Sequence, residues 1–330
     1  MTGTSHLMVV VVVLAVAAAA VAAVALALIK GGPKQPKPVA SINDPFRSVD
    51  LSGLPAIQYV QARDNTALAY RFYPSRVAQT RGSAVLIHGS SASGKSLHSL
   101  AMRLAEAGYA SYTLDMRGHG ESGARGTIAY IGQLEDDLED CLAALDPATP
   151  RTLIGFSAGG GFALRFAADR RKNAFARYVL LSPFLHHRSP TTRPAAGGWA
   201  HVGMPRIVVL VTLNAVRIKV FNHLRTIAYA LTPEAQKMLT PQYSFNLMQN
   251  FRPNADYRAD IRHATQPMHV LIGSDDEAFF ADAFAAEFTK PSTNVTIVEG
   301  VGHIGLTLAP EALDAIVASL DATPFAHRTG

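Results

Sequence analysis

The pentapeptide GFSAG at positions 155–159 constrains the fold more than any other stretch of this chain. It fits the G-x-S-x-G pattern of a sharp strand-to-helix turn, and it follows residues 151–154, a short apolar run that reads as a β-strand. A serine hydroxyl becomes an effective nucleophile only when such a turn exposes it to a base, and glycines two positions either side of Ser157 keep the turn uncrowded. Three consecutive glycines from position 159 open a segment of helical character, as expected if that helix packs closely against the sheet. The alternative interpretation is a chance match in a chain rich in alanine and glycine.

The N-terminal segment is apolar without interruption. Residues 7–29 carry no charge and consist almost entirely of valine, alanine and leucine, which is long enough for a helix to cross a hydrocarbon core of ~30 Å. A buried soluble helix is disfavoured because no polar face exists to meet water. A cleaved signal peptide is the competing interpretation, since Ala25-Leu26-Ala27 could be its cleavage site, but no Lys or Arg precedes the run, which exceeds the about 7–15 residues of a typical signal core. The sequence therefore predicts an uncleaved membrane anchor at residues 1–30.

The charges around this segment predict an orientation. Lys30, Lys34 and Lys37 follow it and none precedes it, so the positive-inside rule places the downstream domain in the cytoplasm. The lone Cys141 cannot form an intrachain disulfide, which agrees with a cytoplasmic location. Residues 31–53 read as a linker that begins with a Pro- and Lys-rich spacer suited to an anionic headgroup layer. The net charge of +5 then needs no nucleic acid to explain it, and no basic cluster interleaved with aromatic residues occurs elsewhere.

The rest of the chain alternates strand-like and helix-like segments. A hairpin is predicted around Asp64-Asn65, and further strands are predicted at 83–88, 110–114, 152–154, 178–181, 268–272 and 295–298. Helices are predicted between them, at 97–107, 129–145, 158–169, 278–288 and 310–320. This order predicts an α/β fold with a mostly parallel sheet and helices on both faces.

One long stretch breaks the alternation. Residues 184–266 contain Pro-rich loops, the only tryptophan and a long apolar run, and they are predicted to form an inserted cap. The core domain then has two parts, 54–183 and 267–321, followed by a C-terminal tail at 322–330. In such a sheet, catalytic groups lie on loops at the carboxyl ends of strands. A serine, an acid and a histidine occur at three such ends in that order, which is the triad order of one hydrolase architecture.

Five motifs in this order, HG, DMRGHGES, GFSAG, GSDD and GHIG, resemble those of the α/β-hydrolase superfamily, close to its monoglyceride lipase, lysophospholipase and serine aminopeptidase-like group. The resemblance covers residues 54–320, with the cap matched only by position. It implies an α/β-hydrolase fold, a mostly parallel doubly wound sheet with an inserted cap, here preceded by one N-terminal transmembrane helix. It also implies that no cofactor or metal is needed.

Residue by residue, the resemblance implies that Ser157 is the nucleophile and His303 the general base. The acid is Asp276, the third residue after Gly273, with Asp275 as the second choice. The remaining implied site residues are the oxyanion-hole backbone N–H groups of Ser90 and Ala158 and the supporting loop residues His88, Gly89, Gly155 and Gly159.

The sequence thus predicts a membrane-anchored serine hydrolase that cleaves carboxylic esters, with a monoacylglycerol or lysophospholipid as the expected substrate. A peptidase, amidase or thioesterase on the same triad stays open, as does a catalytically silent binding protein. Residues 89–96 also match the phosphate-binding pattern G-x-x-x-x-G-K-S, ending in Lys95-Ser96 after a strand and before a helix. A nucleotide-binding interpretation leaves GFSAG, GSDD and GHIG unexplained. The adjacent His186 and His187 lack partners at zinc-ligand spacing.

Overall fold

The computed structural model describes residues 3–43, 49–194 and 198–321. The predicted tail at 322–330 and residues 44–48 of the predicted linker lie outside these ranges.

Within the described residues, an eight-stranded sheet has the order β1-β2-β4-β3-β5-β6-β10-β11. The strands from β3 to β11 in this sheet are parallel, whereas β2 pairs antiparallel with both β1 and β4. Its strands are β1 (Gln58–Gln61), β2 (Ala67–Tyr73), β3 (Ser83–Ile87), β4 (Ala110–Leu114), β5 (Arg151–Phe156), β6 (Arg177–Leu181), β10 (Met268–Gly273) and β11 (Thr293–Val298). This architecture confirms the predicted mostly parallel sheet and the predicted hairpin at its edge.

Helices cover both faces of the sheet. Successive residues of β3 point to opposite sides, so Val85 and Ile87 pack with α4 and α5 while Leu86 packs with α3 and α11. Every residue of β3 is buried, as expected for a central strand between two helical layers. These helices are α3 (His98–Glu106), α4 (Gln133–Leu145), α5 (Ala158–Ala167) and α11 (Pro310–Asp321).

Two predicted helices differ from the structure. The helix predicted at 129–145 begins four residues later, because Gly132 has a left-handed φ of 110°. The helix predicted at 278–288 is wrong over its first half, and the structure has a short 3₁₀ turn (Ala281–Ala283) followed by α10 (Phe284–Glu287). The carboxylate of Asp276 accepts hydrogen bonds from the N–H groups of residues 278 and 279, which holds them in a turn.

The segment predicted as a cap, 184–266, contains a small antiparallel sheet that the sequence analysis did not predict, in the order β7-β8-β9. Its helices and strands are β7 (Ala200–Val202), α6 (Met204–Ala215), β8 (Arg225–Tyr229), α7 (Pro233–Met238), β9 (Gln242–Ser244), α8 (Phe245–Asn250) and α9 (Tyr257–His263). Tyr229, Tyr243 and Leu247 of this segment belong to the same apolar cluster as α4 and α5. The segment therefore packs onto the carboxyl edge of the main sheet and its α4–α5 layer.

The N-terminal helix α1 (Gly3–Lys30) lies apart from both sheets, and a short helix α2 (Ala40–Asn43) follows it. Among the described residues, α1 is the one helix long and apolar enough to cross a membrane: an 18-residue stretch within His6–Lys30 has a mean hydropathy of 3.1, and none of that stretch is buried. Its end contacts α6, where the Arg206 guanidinium donates hydrogen bonds to the carbonyls of Leu28 (2.9 Å) and Ile29 (3.0 Å). These bonds satisfy carbonyls that a helix C-terminus leaves without partners.

Candidate active site

Ser157 stands at the junction of β5 and α5 in a strained conformation, with a φ of 55° that serine rarely adopts. Its N–H donates to the carbonyl of Leu181 at the end of β6 (2.8 Å), which holds the turn. A side chain at Gly155 would overlap the carbonyl of Gly159, and one at Gly159 would overlap the carbonyl of His88. The close packing expected from these glycines is therefore present, and it leaves no room for any other residue at either position.

Asp276 and His303 meet at the same edge of the sheet, on the loops that follow β10 and β11. The Nδ1 atom of His303 lies 2.7 Å from Oδ2 of Asp276, and both residues are 1% exposed. The other carboxylate oxygen accepts the N–H groups of Ala278 (2.8 Å) and Phe279 (2.9 Å). Burial raises the pKa of Asp276, but the charge and hydrogen bond of His303 and these further bonds outweigh it, so that the pKa lies below its usual value. An ionised Asp276 holds the ring proton on Nδ1 and leaves Nε2 of His303 as the basic nitrogen.

Aromatic rings enclose the imidazole of His303. Phe156, the residue before Ser157, lies 4.8 Å from it between ring centroids, Trp199 of the cap segment 5.0 Å and Phe279 5.2 Å. Within the described residues, Nε2 of His303 is buried and makes no hydrogen bond, and Ser157 is only partly buried. Distances between catalytic groups in a site without substrate are often longer than in the reacting complex.

The two candidate acids have different surroundings. Asp275 is exposed and its carboxylate accepts from the hydroxyl of Ser274 (3.0 Å), so the structure brings Asp276 and not Asp275 to His303. The sequence analysis missed Glu277, whose carboxylate accepts the backbone N–H of His303 at 2.9 Å. No sequence signal marks Glu277, because its role depends on how the two loops meet.

The candidate oxyanion donors flank Ser157. Gly89 approaches so closely that a Cβ there would lie 3.3 Å from Cβ of Ser157, which places the loop of residues 88–91 against the nucleophile. Ala158 provides the first N–H of α5. Within the described residues, neither the Ser90 N–H nor the Ala158 N–H donates to another protein group.

Residues 78–305 match the profile of the family described as serine aminopeptidase, S33 (Hydrolase_4), a span of more than half of the chain. The chain belongs to this family. The match confirms the resemblance predicted from the five motifs.

The relatives and solved structures to which this S33 family member is similar include lipases. A monoacylglycerol lipase of Mycolicibacterium smegmatis is 37% identical over 109 residues, which are 31% of this chain and 38% of the relative. The chain spans less than half the length of the curated relatives it matches, 38% and 49%. A soluble variant of monoglyceride lipase from Saccharomyces cerevisiae, in complex with a substrate analog, superposes with a TM-score of 0.61 at 20% identity, over 83% of this chain and 96% of that chain. A bacterial membrane phospholipase A superposes with a TM-score of 0.55 at 21% identity, over 96% of this chain and 98% of that chain. These superpositions confirm the α/β-hydrolase fold.

The phosphate-binding pattern at 89–96 has another role in this S33 family member. The N–H of Gly94, which would face a phosphate in a nucleotide site, donates to the carboxylate of Asp115 at 2.7 Å. A phosphate would meet a like charge at that position. The loop containing Lys95 is thus folded onto an acid of the DMRGHGES motif.

The histidines outside the triad make contacts of other kinds. His186 and His187 stack with ring centroids 4.1 Å apart, and Nδ1 of His201 accepts the N–H of Lys34 at 3.1 Å. Among the described residues, no group of three or more His, Cys, Asp or Glu side chains could hold a metal ion.

Proposed function

We propose that this S33 family member is a serine hydrolase that cleaves carboxylic esters through an acyl-enzyme. The observation that carries the proposal is the 2.7 Å contact between Asp276 and His303 beside the strained turn that presents Ser157. A buried carboxylate–imidazole pair next to a half-buried, sterically cleared serine is the arrangement that nucleophilic catalysis needs.

In the proposed first step, Nε2 of His303 takes the proton of the Ser157 hydroxyl while its oxygen bonds to the ester carbonyl carbon. The carbonyl π electrons move onto oxygen, where the N–H groups of Ser90 and Ala158 stabilise the charge. Collapse of this intermediate breaks the bond to the alcohol, which leaves with the proton from His303. Water activated by the same nitrogen then attacks the acyl-enzyme and releases the acid. Asp276 keeps the imidazole oriented and stabilises its charged form throughout.

For the substrate, we propose a lipid-like ester such as a monoacylglycerol or lysophospholipid. The apolar rings of Phe156, Trp199 and Phe279 around His303 favour an acyl chain over a polar group. The names of the relatives, monoacylglycerol lipase and monoglyceride lipase, point to the same class. The family description points instead to a peptide bond, so an amidase remains the second candidate.

We further propose that α1 anchors the protein in a membrane and that the catalytic domain lies on the cytoplasmic side. The helix is apolar from residue 7 to residue 29, none of its residues from His6 to Lys30 is buried, and Lys30, Lys34 and Lys37 lie at or just beyond its end. Its contact with α6 then places the cap segment next to the membrane surface. A lipid substrate that leaves the bilayer would then cross only a short distance through water to reach the site.

An activity-based probe tests the catalytic part of this proposal. A fluorophosphonate is expected to label the purified full chain in detergent on Ser157, identified by mass spectrometry, and Ser157→Ala should lose both the label and esterase turnover. Ser75→Ala, at a half-buried serine on the loop that follows β2, serves as the matched control and should label normally. Absence of labelling in a folded chain would overturn the hydrolase proposal.

Substrate class is tested separately with the same preparation. Turnover is measured on p-nitrophenyl esters from C2 to C16, on monoacylglycerols and lysophospholipids, and on aminoacyl anilides. We expect the highest kcat/KM on medium- or long-chain esters. A preference for aminoacyl anilides would overturn the lipid-ester assignment and leave the Ser157 mechanism intact.

A further inference from the structure

The loop of residues 88–91, here called the oxyanion loop, is tied to the cap segment by three hydrogen bonds. The hydroxyl of Ser91 donates to the carbonyl of Thr240 (2.6 Å), and the N–H of Thr240 donates to the carbonyl of Ser91 (2.8 Å). The N–H of Ser91 donates to the hydroxyl oxygen of Tyr243 on β9 (2.5 Å). Ser91 has a left-handed φ of 67°, a conformation that needs such external support in a serine.

The direction of the next hydrogen bonds follows from donor and acceptor chemistry. Since an N–H can only donate, Tyr243 Oη accepts from Ser91 and must give its own proton elsewhere. Nδ1 of His119 faces two backbone carbonyl oxygens, which can only accept, so in the neutral ring Nε2, 2.6 Å from Tyr243 Oη, is the acceptor. The ring proton of His119 then resides on Nδ1, 3.2 Å from the carbonyl oxygen of Met116. Burial lowers the pKa of His119 well below its usual value, and the charge of nearby His88 lowers it further, in keeping with a neutral ring.

The chain of hydrogen bonds returns to the oxyanion loop through His88. The N–H of Met116 donates to Nε2 of His88 (3.2 Å), so the proton of His88 is on Nδ1, where it donates to the carbonyl of Gly89 (2.8 Å). Both imidazoles are fully buried and lie 4.7 Å apart between ring centroids. The hydrogen bonds thus run from Ser91 through Tyr243, His119, Met116 and His88 to Gly89. They leave the oxyanion loop on one side of Ser90 and rejoin it on the other.

The hydrogen bonds to Gly89 and Ser91 fix the two peptide units on either side of Ser90. The carbonyl of Gly89 and the N–H of Ser90 belong to one planar peptide unit and point in opposite directions in its trans form. A hydrogen bond from His88 to that carbonyl thus aims the Ser90 N–H, and the bond from Tyr243 holds the next peptide unit. Gly89 lies against Ser157, so a small rotation of this unit would move the donor relative to the reacting oxygen.

We propose that Tyr243, acting through His119 and His88, is a positioning residue by which the cap segment orients the Ser90 N–H for the oxyanion. This inference rests on the proposed function, since it assigns a support to the proposed oxyanion hole. Tyr243 touches no reacting atom, and its effect is on the transition state and not on substrate binding. The oxyanion hole of this chain is in this way built partly by the inserted segment.

The test compares two buried tyrosines that each lose the hydrogen bonds of their hydroxyl, two at Tyr243 and one at Tyr178. Tyr243→Phe keeps the ring but leaves the Ser91 N–H and His119 Nε2 without their partner. Tyr178→Phe is the matched control, because the Tyr178 hydroxyl donates to the carbonyl of Lys172 (2.7 Å) in the core away from the site. On p-nitrophenyl butyrate, we expect Tyr243→Phe to lower kcat about 10-fold or more with KM within twofold, since loss of an oxyanion donor costs about 10²–10³ in kcat. Tyr178→Phe should keep kcat and lose only thermal stability.

His119→Phe provides a second measurement on the same hydrogen bonds. It removes the acceptor of the Tyr243 proton, and the double variant with Tyr243→Phe should lose little more kcat than Tyr243→Phe alone, because both act through one chain of bonds. The inference is overturned if Tyr243→Phe keeps kcat within twofold while its stability falls as in Tyr178→Phe. It is also overturned if the separate kcat losses of Tyr243→Phe and His119→Phe multiply in the double variant. Unfolding of both Tyr243→Phe and His119→Phe while Tyr178→Phe folds would assign the bonds to stability alone and overturn it as well. Retained turnover in Ser157→Ala would instead refute the proposed function itself.

Discussion

At the residue scale, the two oxygens of Asp276 have separate partners. One accepts from the His303 ring and the other accepts two backbone N–H groups, so the carboxylate cannot rotate without losing hydrogen bonds. An amide at this position would present an N–H to Nδ1 of His303 and drive the ring proton onto Nε2. In that tautomer the imidazole cannot accept the proton of Ser157.

Asp276→Asn is therefore expected to lower kcat on p-nitrophenyl butyrate by about 10³–10⁴-fold, the size of effect typical when the triad acid becomes an amide. Asp275→Asn is the matched control at the adjacent exposed position and should stay within about twofold of the unsubstituted chain. Equal losses in the two variants, measured by steady-state kinetics on folded protein, would contradict the assignment of Asp276 as the acid.

The residues around the nucleophile differ in how far the sequence could predict them. Gly155 and Gly159 were predictable because the steric demands of the turn are local to the pentapeptide. Glu277 and Tyr243 carried no such signal, since each binds a residue distant from it in sequence, His303 and Ser91 respectively. The motifs thus identified groups with intrinsic chemistry, while the groups that orient them emerged only from the fold.

At the scale of elements, the main sheet could be predicted from the sequence, whereas the small sheet of the cap segment could not. The parallel strands contain short apolar or β-branched runs between turn-forming segments, and the sequence predicted each of them to within about two residues at either end. The three strands of the cap segment are short, and β7 (Ala200–Val202) and β9 (Gln242–Ser244) have too few residues for a period-two pattern to register. Tertiary hydrogen bonds to Asp276 likewise overrode the helical spacing at 278–288.

Helix α6 exposes an apolar face that extends the contact with α1. Met204, Val208 and Val211 are 51%, 56% and 50% exposed, and their i, i+4, i+7 spacing puts them on one side of the helix. Arg206 on the same helix is bound to the end of α1, which under the proposed topology lies at the membrane surface. We infer that this face lies in the interfacial layer of the bilayer.

This predicts residual membrane binding in a chain lacking residues 1–30. That chain, checked for cooperative thermal unfolding, should float with vesicles of phosphatidylcholine and phosphatidylglycerol. Val208→Asp combined with Val211→Asp should reduce the bound fraction several-fold, because charges are costly to bury among acyl chains. Val77→Asp, at an exposed valine of the core domain, is the control and should bind like its parent. If the variant with Val208→Asp and Val211→Asp floats to the same extent as the Val77→Asp control, the inferred contact between α6 and the bilayer is refuted.

At the scale of the whole molecule, the cap segment connects the site to the N-terminal helix. The sheet supplies the loops with Ser157, Asp276 and His303, the cap segment supplies Trp199 and Tyr243, and α1 joins that segment at Arg206. Removing any part therefore affects the others through defined contacts. The cap segment is the connecting part, since it contacts both the proposed anchor and the oxyanion loop.

Buried histidines also give the whole molecule a predicted dependence on pH. Loss of hydration lowers the pKa values of the buried His88 and His119, and also those of the half-buried His186 and His269 and the exposed His187. Because an imidazole in the unfolded chain titrates near 6.5, the unfolded state binds more protons below that pH, and the free energy of unfolding must fall as the pH is lowered. The lowered pKa of Asp276 acts only below the usual carboxyl value of 3.8, outside this window.

We expect urea unfolding in detergent to show lower stability at pH 6 than at pH 8. His88 and His119 are fully buried, and each would contribute about 0.8 kcal/mol at pH 6 if its folded pKa lies well below that value. His119→Phe should lose the contribution of one imidazole, so that its free energy of unfolding differs less between pH 6 and pH 8. Its stability at pH 8 also falls. His223→Gln, at an exposed position, should leave the difference between the two pH values unchanged. Equal stability of the unsubstituted chain at pH 6 and pH 8 would contradict neutral buried imidazoles, and with them the proton positions assigned from Tyr243 to Gly89.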